Sequence, residues 1–317
     1  MNDGFAFRSS QAPTSGRRHV FCGIELAHPI VNASGTFDAI AARRAFGDAL
    51  LESFPFAAFV SKTVTLAPRQ GNPPPRLFEL PAGMLNSIGL PNKGLAGYLE
   101  QDLPKLAELP VPLIVNVMGF TRAEVAELVS AFAERAEVAA LELNVSCPNV
   151  ETGTLIGADP AETAALLDAV RPLTTKPLIV KLTPNTANPA DVAAAAEAHG
   201  ADAVSLINTL KGMAPHPIHG AARPWLGGTT GGMSGPAVRA IALAQLADVR
   251  ARVAIPLVGM GGVQTGRHAL DLLAAGADLV AVGTESFRDP MAGARVAQEL
   301  DALSREIPAN DGVPAPA

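Results

Sequence analysis

Cys147 is the residue best placed to act as a base or a nucleophile. It follows the apolar run 140–145 and lies between Asn144 and Asn149 in the segment Asn-Val-Ser-Cys-Pro-Asn. A thiol has an ordinary pKa of about 8.5, so a modest shift makes it competent near neutral pH. Most single cysteines are inert core residues. Cys22 has no comparable polar neighbours in the sequence and is interpreted as structural.

Two lysines stand at the ends of apolar runs. Lys62 follows the run 57–61, and Lys181 lies in the run 178–182. Burying a lysine costs several kcal/mol unless its ammonium group is paired. The two cations therefore favour an anionic ligand, or an intermediate whose negative charge they stabilise. Structural salt bridges and a lysine that forms a Schiff base are the alternatives.

Glycine-rich turns follow the last two apolar runs. Gly261 and Gly262 precede a helix predicted to begin near Thr265, and Gly283 and Thr284 precede the last predicted helix. Bare backbone N–H groups at helix N-termini bind phosphate, and a barrel fold commonly uses these two loops for that purpose. The turns therefore predict a phosphorylated ligand. Glycines that serve only tight turns are the alternative.

The elements that must position these residues are short apolar runs alternating with amphipathic stretches. The runs lack period-two alternation, which is typical of parallel strands buried on both faces. They lie at 30–33, 57–61, 113–117, 140–145, 178–182, 203–207, 256–259 and 279–282. Eight such units predict a (β/α)8 TIM barrel. A doubly wound open sheet is the alternative, but 33–37 lacks its glycine-rich turn.

Barrel closure would bring the polar ends of these runs into one ring. Helices are predicted at 122–135, 161–170, 238–249 and 268–275, and a small hairpin at 21–30. Two connections, 63–92 and 209–235, are longer than a barrel needs and are interpreted as lids or binding loops. A flexible lead-in at 1–18 and a tail at 307–317 flank a single predicted domain, 19–306.

Composition excludes several classes of protein. Of 317 residues, 48% are hydrophobic and 17% charged, so the chain can bury a large core. A net charge of −6 argues against a nucleic-acid partner, and no apolar run reaches the roughly 18 residues of a membrane span. The start has no secretory signal, although a transit peptide is an alternative. Two cysteines fit a reducing cytoplasm, and His216 and His219 lack metal-ligand spacing, so no metal is predicted.

Five segments together resemble the class 1 dihydroorotate dehydrogenases. They are 144–149 (Asn-Val-Ser-Cys-Pro-Asn), 61–63 (Ser-Lys-Thr), 86–92 (Asn-Ser-Ile-Gly-Leu-Pro-Asn), 208–209 (Asn-Thr) and 231–235 (Gly-Gly-Met-Ser-Gly). The resemblance covers about 20–303 and implies an FMN-binding (β/α)8 barrel. It therefore implies an oxidoreductase acting on a CH–CH group, which oxidises (S)-dihydroorotate to orotate in de novo pyrimidine (UMP) biosynthesis.

The resemblance also implies residue roles. Cys147 would take a proton from C5 of dihydroorotate while a hydride passes from C6 to flavin N5, and its loop would act as a lid. Substrate would be bound by Lys62, Asn86, Ser87, Ile88, Gly89, Leu90, Asn144, Asn208 and Thr209. FMN would be bound by Ser34, Lys62, Thr63, Asn116, Asn144, Lys181, Ile207, Gly235, Gly261, Gly262, Gly283 and Thr284. Lys181 would stabilise the reduced, anionic flavin.

The segments 71–76 and 230–236 look most like the B type, the NAD-linked catalytic subunit. This type implies a partner subunit carrying FAD and an iron–sulfur cluster, which two cysteines here could not ligate. A homodimeric core is implied as well. The stretches after Thr36 and after Asn149 depart from the family pattern, and the first lacks the expected glycines.

Three rivals remain open at this point. A dihydropyrimidine dehydrogenase-type barrel would act on uracil or thymine without recognising a carboxylate. A tRNA dihydrouridine synthase shares the chemistry, but the net charge of −6 counts against it. A non-redox phosphate-binding barrel, such as an isomerase, explains the glycine-rich turns and leaves Cys147 and the asparagines unexplained.

Overall fold

The computed structural model describes residues 19–146, 156–218 and 220–306. Eight parallel strands of this part form one sheet: β3 Ile30–Asn32, β4 Phe59–Val60, β7 Leu113–Val117, β8 Ala140–Asn144, β9 Leu178–Lys181, β10 Ala203–Leu206, β15 Leu257–Met260 and β16 Leu279–Val282. Their spatial order is β3-β16-β15-β10-β9-β8-β7-β4. All eight predicted strands are confirmed, with small differences at their ends.

The seam between β3 and β4 is closed by an asparagine side chain. The amide of Asn32 donates to the Val60 carbonyl and accepts from the Val60 N–H, each at 2.8 Å. The Ala57 N–H donates to the Ile30 carbonyl at 2.9 Å. Because these bonds join the first and last strands of the sheet order, the eight strands form a (β/α)8 barrel, as the sequence predicts.

Helices surround the barrel. They are α1 Ala39–Phe46, α2 Ala49–Glu52, α3 Gly94–Gly97, α4 Leu103–Leu106, α5 Arg122–Ala133, α6 Pro160–Val170, α7 Pro189–Ala198, α8 Arg239–Arg250, α9 Gly266–Ala274 and α10 Ala292–Glu306, with a π-helical turn at Tyr98–Asp102. The side chains of Thr121, Asp159, Asn188 and Thr265 accept backbone N–H groups at the starts of α5, α6, α7 and α9. These caps fix where the helices begin.

Among the described residues, no helix combines the length and apolarity of a membrane span.

Successive residues of each barrel strand face alternately outward and inward. In β8, Leu141 and Leu143 pack outward against the helices, while Ala140 faces the barrel interior. An interior layer of Ile114, Ala140, Ile179 and Ala203 is apolar. Two residues further along the same four strands stand Asn116, Glu142, Lys181 and Ser205, all buried. The barrel interior therefore changes from apolar to polar toward the carboxyl ends of its strands.

The amino-terminal hairpin consists of β1 His19–Phe21 and β2 Ile24–Leu26. It begins two residues before the predicted hairpin at 21–30 and turns at Cys22 and Gly23. Phe21 and Leu26 are buried with the apolar interior layer of the barrel. The hairpin therefore covers the apolar end of the barrel, opposite the polar layer.

The two long connections are partly strands, which the sequence interpretation as loops missed. Strands β5 Leu77–Leu80, β6 Gly83–Asn86, β11 Leu210–Gly212 and β14 Gly231–Ser234 form an antiparallel sheet in the order β11-β14-β6-β5. Strands β12 Pro215–His216 and β13 Gly220–Pro224 pair separately. The two connections thus associate with each other, and their sheet lies beside the carboxyl ends of the barrel strands. The lead-in, the tail, Cys147 and His219 lie outside the described residues.

Candidate active site

A cavity of about 450 Å³ lies between the carboxyl ends of the barrel strands and the antiparallel sheet. This volume is within the usual range for small-molecule sites. Most residues that the sequence predicts for substrate and cofactor line it: Ser34, Lys62, Thr63, Asn86, Ile88, Gly89, Leu90, Asn144, Lys181, Ile207, Asn208, Thr209, Gly235, Gly261, Gly262, Gly283 and Thr284. The structure therefore brings together residues from all parts of the chain.

Two predicted residues, Ser87 and Asn116, do not line this cavity. The Ser87 hydroxyl accepts a hydrogen bond from the side chain of Asn72 at 3.0 Å. Asn116 is fully buried, and its Nδ2 donates to Oε2 of Glu142 at 2.5 Å. The predicted ligand contacts of these two side chains therefore stay predictions.

Glu142 is the functional candidate that sequence reasoning missed. It is 4% exposed, and it accepts hydrogen bonds from Asn116 and from the Ser205 hydroxyl at 2.7 Å. Its Oε2 lies 4.0 Å from Nζ of Lys181, which is also buried. The available signal was a single carboxylate inside the apolar run 140–145. Because an unpaired charge is costly to bury, this pair explains how Lys181 is held in the barrel.

Lys62 presents the other cation of the site. Surrounding protein lowers the pKa of its ammonium group through desolvation, Asp38 opposes this shift, and Arg76 adds to it. The Lys62 side chain is nonetheless exposed to the cavity that it lines. A ligand carboxylate beside Lys62 would favour the charged form of its ammonium group and so oppose the effect of desolvation on its pKa.

Three asparagines supply amide groups to the cavity. Nδ2 of Asn208 donates to the Ser146 hydroxyl at 2.8 Å, and Oδ1 of Asn144 lies 3.4 Å away from the same nitrogen. Nδ2 of Asn86 donates to the Gly232 carbonyl at 3.2 Å. An amide both donates and accepts, so this set can hold a ring whose edge alternates N–H and C=O groups. Ser146 was not predicted as a site residue, although it adjoins Cys147.

The turns after β15 and β16 form a backbone cradle. Gly261 and Gly262 have φ values of 138° and 71°. A Cβ at Gly262 would lie 2.8 Å from Cβ of Arg239, and one at Gly261 would lie 2.6 Å from Cβ of Ala242. Thr284 donates its hydroxyl proton to Ser234 at 2.9 Å. Side chains are thus excluded here, and bare backbone of this kind suits a phosphate group.

One buried acceptor near the cavity lacks a hydrogen-bond partner. Oδ1 of Asn116 is buried without a hydrogen-bond partner among the described residues. This acceptor fits a ligand that donates a hydrogen bond, and the glycine cradle fits a phosphate group. The residues present therefore fit a polar, phosphorylated cofactor.

Three predictions concern metals and cysteines. In the described part of the chain, no group of three or more His, Cys, Asp or Glu side chains could hold a metal ion. Cys22 donates its Sγ–H to the Asp202 carbonyl at 3.4 Å, and burial raises its pKa to about 12. A thiol with so high a pKa is unreactive, in agreement with a structural role. The role of Cys147 stays a prediction.

Fold and site together define an enzyme of the (β/α)8-barrel class, with its polar site at the carboxyl ends of the strands. The sequence profile of the dihydroorotate dehydrogenase family matches residues 18–303, and the chain belongs to this family.

Relatives agree with this assignment. A Geobacter protein is 45% identical over 281 residues, which cover 88% of this chain and 90% of the relative. A Desulforudis audaxviator protein is 44% identical over 283 residues, covering 88% and 89%. A Bacillus pumilus protein is 43% identical over 282 residues, covering 88% of each chain. All three are named dihydroorotate dehydrogenase B (NAD(+)), catalytic subunit.

Proposed function

We propose that this chain is the FMN-binding catalytic subunit of a B-type dihydroorotate dehydrogenase, acting in the cytoplasm. It oxidises (S)-dihydroorotate to orotate, a step of pyrimidine biosynthesis. The observation that carries the proposal is one cavity that combines Lys62, three asparagine amides and a glycine cradle above the Lys181–Glu142 pair. Such a cavity offers separate places for a carboxylate, for a pyrimidine edge and for a phosphate.

The residues divide between substrate and cofactor. Lys62 pairs with the substrate carboxylate, and Asn86, Asn144 and Asn208 hold the pyrimidine ring through their amides. Gly261, Gly262, Gly283 and Thr284 would hold the FMN phosphate, and the positive charge of Lys181 would stabilise the reduced, anionic flavin. When bound, FMN supplies the acceptor for the hydride that leaves C6 of the substrate.

Cys147 is proposed as the general base. It removes the proton from C5, so that loss of this proton and of the hydride from C6 leaves the double bond of orotate. The residue lies outside the described part of the chain, but its neighbours Asn144 and Ser146 line the cavity. Exclusion of water by the antiparallel sheet keeps the ionic interactions strong.

An electron-transfer partner completes the proposal. The relatives are named as catalytic subunits, which implies a second subunit. We assign to that subunit FAD and an iron–sulfur cluster, and to this chain a homodimeric core. Leu77 and Phe287 line the cavity and are 53% and 59% exposed, and exposed apolar side chains at a cavity mouth suit a docked protein.

The test is the visible spectrum of the purified chain before and after anaerobic addition of dihydroorotate. We expect an FMN band that bleaches on addition. A band that persists with dihydroorotate but bleaches with dihydrouracil, the reduced form of uracil, would instead support the dihydropyrimidine dehydrogenase rival. Absence of flavin even after FMN is supplied would overturn the redox assignment and favour a phosphate-binding barrel.

The same spectrum tests the base. The variant Cys147→Ala should retain FMN yet bleach roughly 10²–10⁴-fold more slowly, which is the usual loss when a general base is removed. Cys22→Ala is the matched control, because the Cys22 thiol contacts Asp202 away from the cavity. An unchanged bleaching rate in Cys147→Ala would remove Cys147 from the mechanism.

A further inference from the structure

A second cavity, of about 590 Å³, adjoins the first. It lies between β4, α1 and the helical stretch 94–106, and its walls include Phe37, Ile40 and Leu106. Gly35, Lys62 and Thr63 line both cavities, so the Lys62 side chain belongs to their common wall. Protein interiors are normally close-packed, and a space of this size is in the range of ligand sites.

One wall of this cavity is formed by the start of α1 and the two residues before it. Residues 37–41, Phe-Asp-Ala-Ile-Ala, form it, and they are the stretch that lacks the glycines expected from the family resemblance. None of the roles implied by the resemblance falls on these residues. Apart from Lys62 and Thr63, no residue that lines the second cavity has a role in binding dihydroorotate or FMN, so those two ligands do not account for most of it.

The chemistry of the lining is aromatic and cationic. The rings of Phe37, Phe59 and Tyr98 line the cavity, and Phe37 and Phe59 pack edge to face with centroids 6.5 Å apart. Tyr98 is 6% exposed, with Ser61 as its polar neighbour, and its hydroxyl completes no hydrogen bond of normal geometry among the described residues. The hydroxyl is thus available to hydrogen-bond a water molecule or a ligand in the cavity.

Charged residues at this cavity have an excess of cations. Lys93 is paired with Asp102 at 2.5 Å, and Asp38 caps α1 by accepting the Ala41 N–H. Arg44 lines the cavity and makes no ion pair with any described residue. Arg69 adds a second guanidinium group, positioned over the Phe120 ring. With Lys62, these groups leave a positive potential in a partly apolar space.

We propose that this second cavity binds a small organic acid with a flat apolar body, whose carboxylate pairs with Arg44 and Lys62 and whose body packs on the aromatic rings. Guanidinium groups bind carboxylates through two parallel hydrogen bonds, and aromatic faces bury a flat ring. Because Lys62 serves both cavities, an acid here draws its ammonium group away from the first cavity. This coupling to dihydroorotate rests on the proposed function, whereas the binding itself does not.

Calorimetric titration of the FMN-loaded chain with benzoate tests the site. The chain is first saturated with orotate, so that the first cavity is filled. Because the two sites share Lys62, orotate should weaken benzoate binding only several-fold and not abolish it. Acetate and benzyl alcohol should bind at least about tenfold more weakly than benzoate, because each lacks one half of the recognised structure. Loss of benzoate binding on addition of orotate would place benzoate in the first cavity and overturn the proposal.

Two variants locate the site without touching the catalytic machinery. Arg44→Gln removes the charge at an exposed position, and Ile40→Trp fills the space. Both should weaken benzoate binding at least tenfold while leaving the FMN spectrum intact. Arg267→Gln on α9, whose side chain is 70% exposed, is the control and should bind benzoate normally. Undiminished benzoate binding by Arg44→Gln would overturn the proposal even if Ile40→Trp fails to fold.

Kinetics test the coupling separately. Benzoate should raise the KM for dihydroorotate several-fold in the wild-type chain and have no such effect in Arg44→Gln. An equal rise in both would assign the inhibition to the first cavity and refute the coupling. A chain that binds benzoate but no FMN would refute the proposed function and leave the second site standing.

Discussion

At the scale of single residues, the buried pair of Glu142 and Lys181 dominates the electrostatics beneath the cavity. Glu142 is stabilised by hydrogen bonds from Asn116 and Ser205, and its charge is balanced by Lys181. Removing one member of such a pair leaves an uncompensated charge, whereas removing both can be nearly neutral. The pair therefore affects stability and cofactor binding in ways that can be separated.

Lys181→Met should destabilise the chain by about 3–5 kcal/mol, because the Glu142 carboxylate loses its counter-ion while buried. It should also weaken FMN binding by an order of magnitude or more. The double variant Glu142→Gln/Lys181→Met should recover most of the stability without recovering FMN affinity. Urea denaturation of the FMN-free chains and flavin fluorescence titration measure the two quantities. A double variant no more stable than Lys181→Met would contradict the pairing.

Sequence reasoning located most of this cavity because the strand ends of a barrel converge whatever their separation in the chain. It did not identify Glu142, because an isolated carboxylate in an apolar run gives no indication of its partners. The hydrogen bonds from Asn116 and Ser205 arise only when β7, β8, β9 and β10 are aligned. That same alignment buries Asn116 fully against Glu142, which a strand-end pattern alone could not predict.

At the scale of elements, the antiparallel sheet beside the cavity is the main feature that local sequence did not predict. Its strands are short and glycine-rich, and β14 pairs with β6 across more than a hundred residues of chain. Pairing over such distances has no local signature. Both connections, 63–92 and 209–235, nevertheless contribute residues that line the cavity, which is compatible with the prediction that they are lids or binding loops.

Gly232 in β14 tests the contact of this sheet with the barrel. A Cβ at this position would lie 1.9 Å from Oγ1 of Thr209, so Gly232→Ala must displace Thr209. We expect a loss of dihydroorotate affinity on the order of tenfold or more, with FMN binding retained, because small misplacements of positioning groups are costly. Steady-state KM and flavin fluorescence provide the measurements.

Gly212→Ala in β11 of the same sheet is the matched control. Its Cβ would meet the end of the Leu85 side chain at 2.8 Å and would lie 3.9 Å from Cβ of the cavity residue Met233, which is an ordinary contact. It should therefore leave the KM for dihydroorotate close to that of the wild-type chain. Equal KM values for the two variants would show that the Gly232–Thr209 approach does not position substrate.

At the scale of the whole molecule, the residues that stabilise the barrel and the residues that line its cavities lie at opposite ends of the barrel axis. The hairpin of β1 and β2 and the apolar layer close one end, while the polar layer and both cavities occupy the other. Substitutions at the hairpin should therefore change unfolding free energy without changing ligand binding. His28, between β2 and β3, allows this separation to be tested by pH.

Burial lowers the pKa of His28 to about 4, with a smaller contribution from His19. Its Nδ1 accepts a hydrogen bond from the Ile30 N–H at 3.3 Å, which requires the neutral ring. Because the pKa is about 6.5 in the unfolded chain, the stabilisation is fully present above that pH and is lost as the pH falls toward 4. The loss attributable to His28 is at most about 3 kcal/mol.

His28→Gln should therefore have a flatter dependence of unfolding free energy on pH between about 6.5 and 4, since glutamine does not titrate in this range. Val20→Thr, at a 67% exposed position of the same hairpin, should keep the wild-type dependence. Urea denaturation at a series of pH values gives the curves. FMN affinity should be the same in all three chains at neutral pH, because the hairpin lies at the opposite end of the barrel from the cofactor cradle. Parallel curves for His28→Gln and the wild-type chain would mean that carboxylates elsewhere account for the whole acid sensitivity.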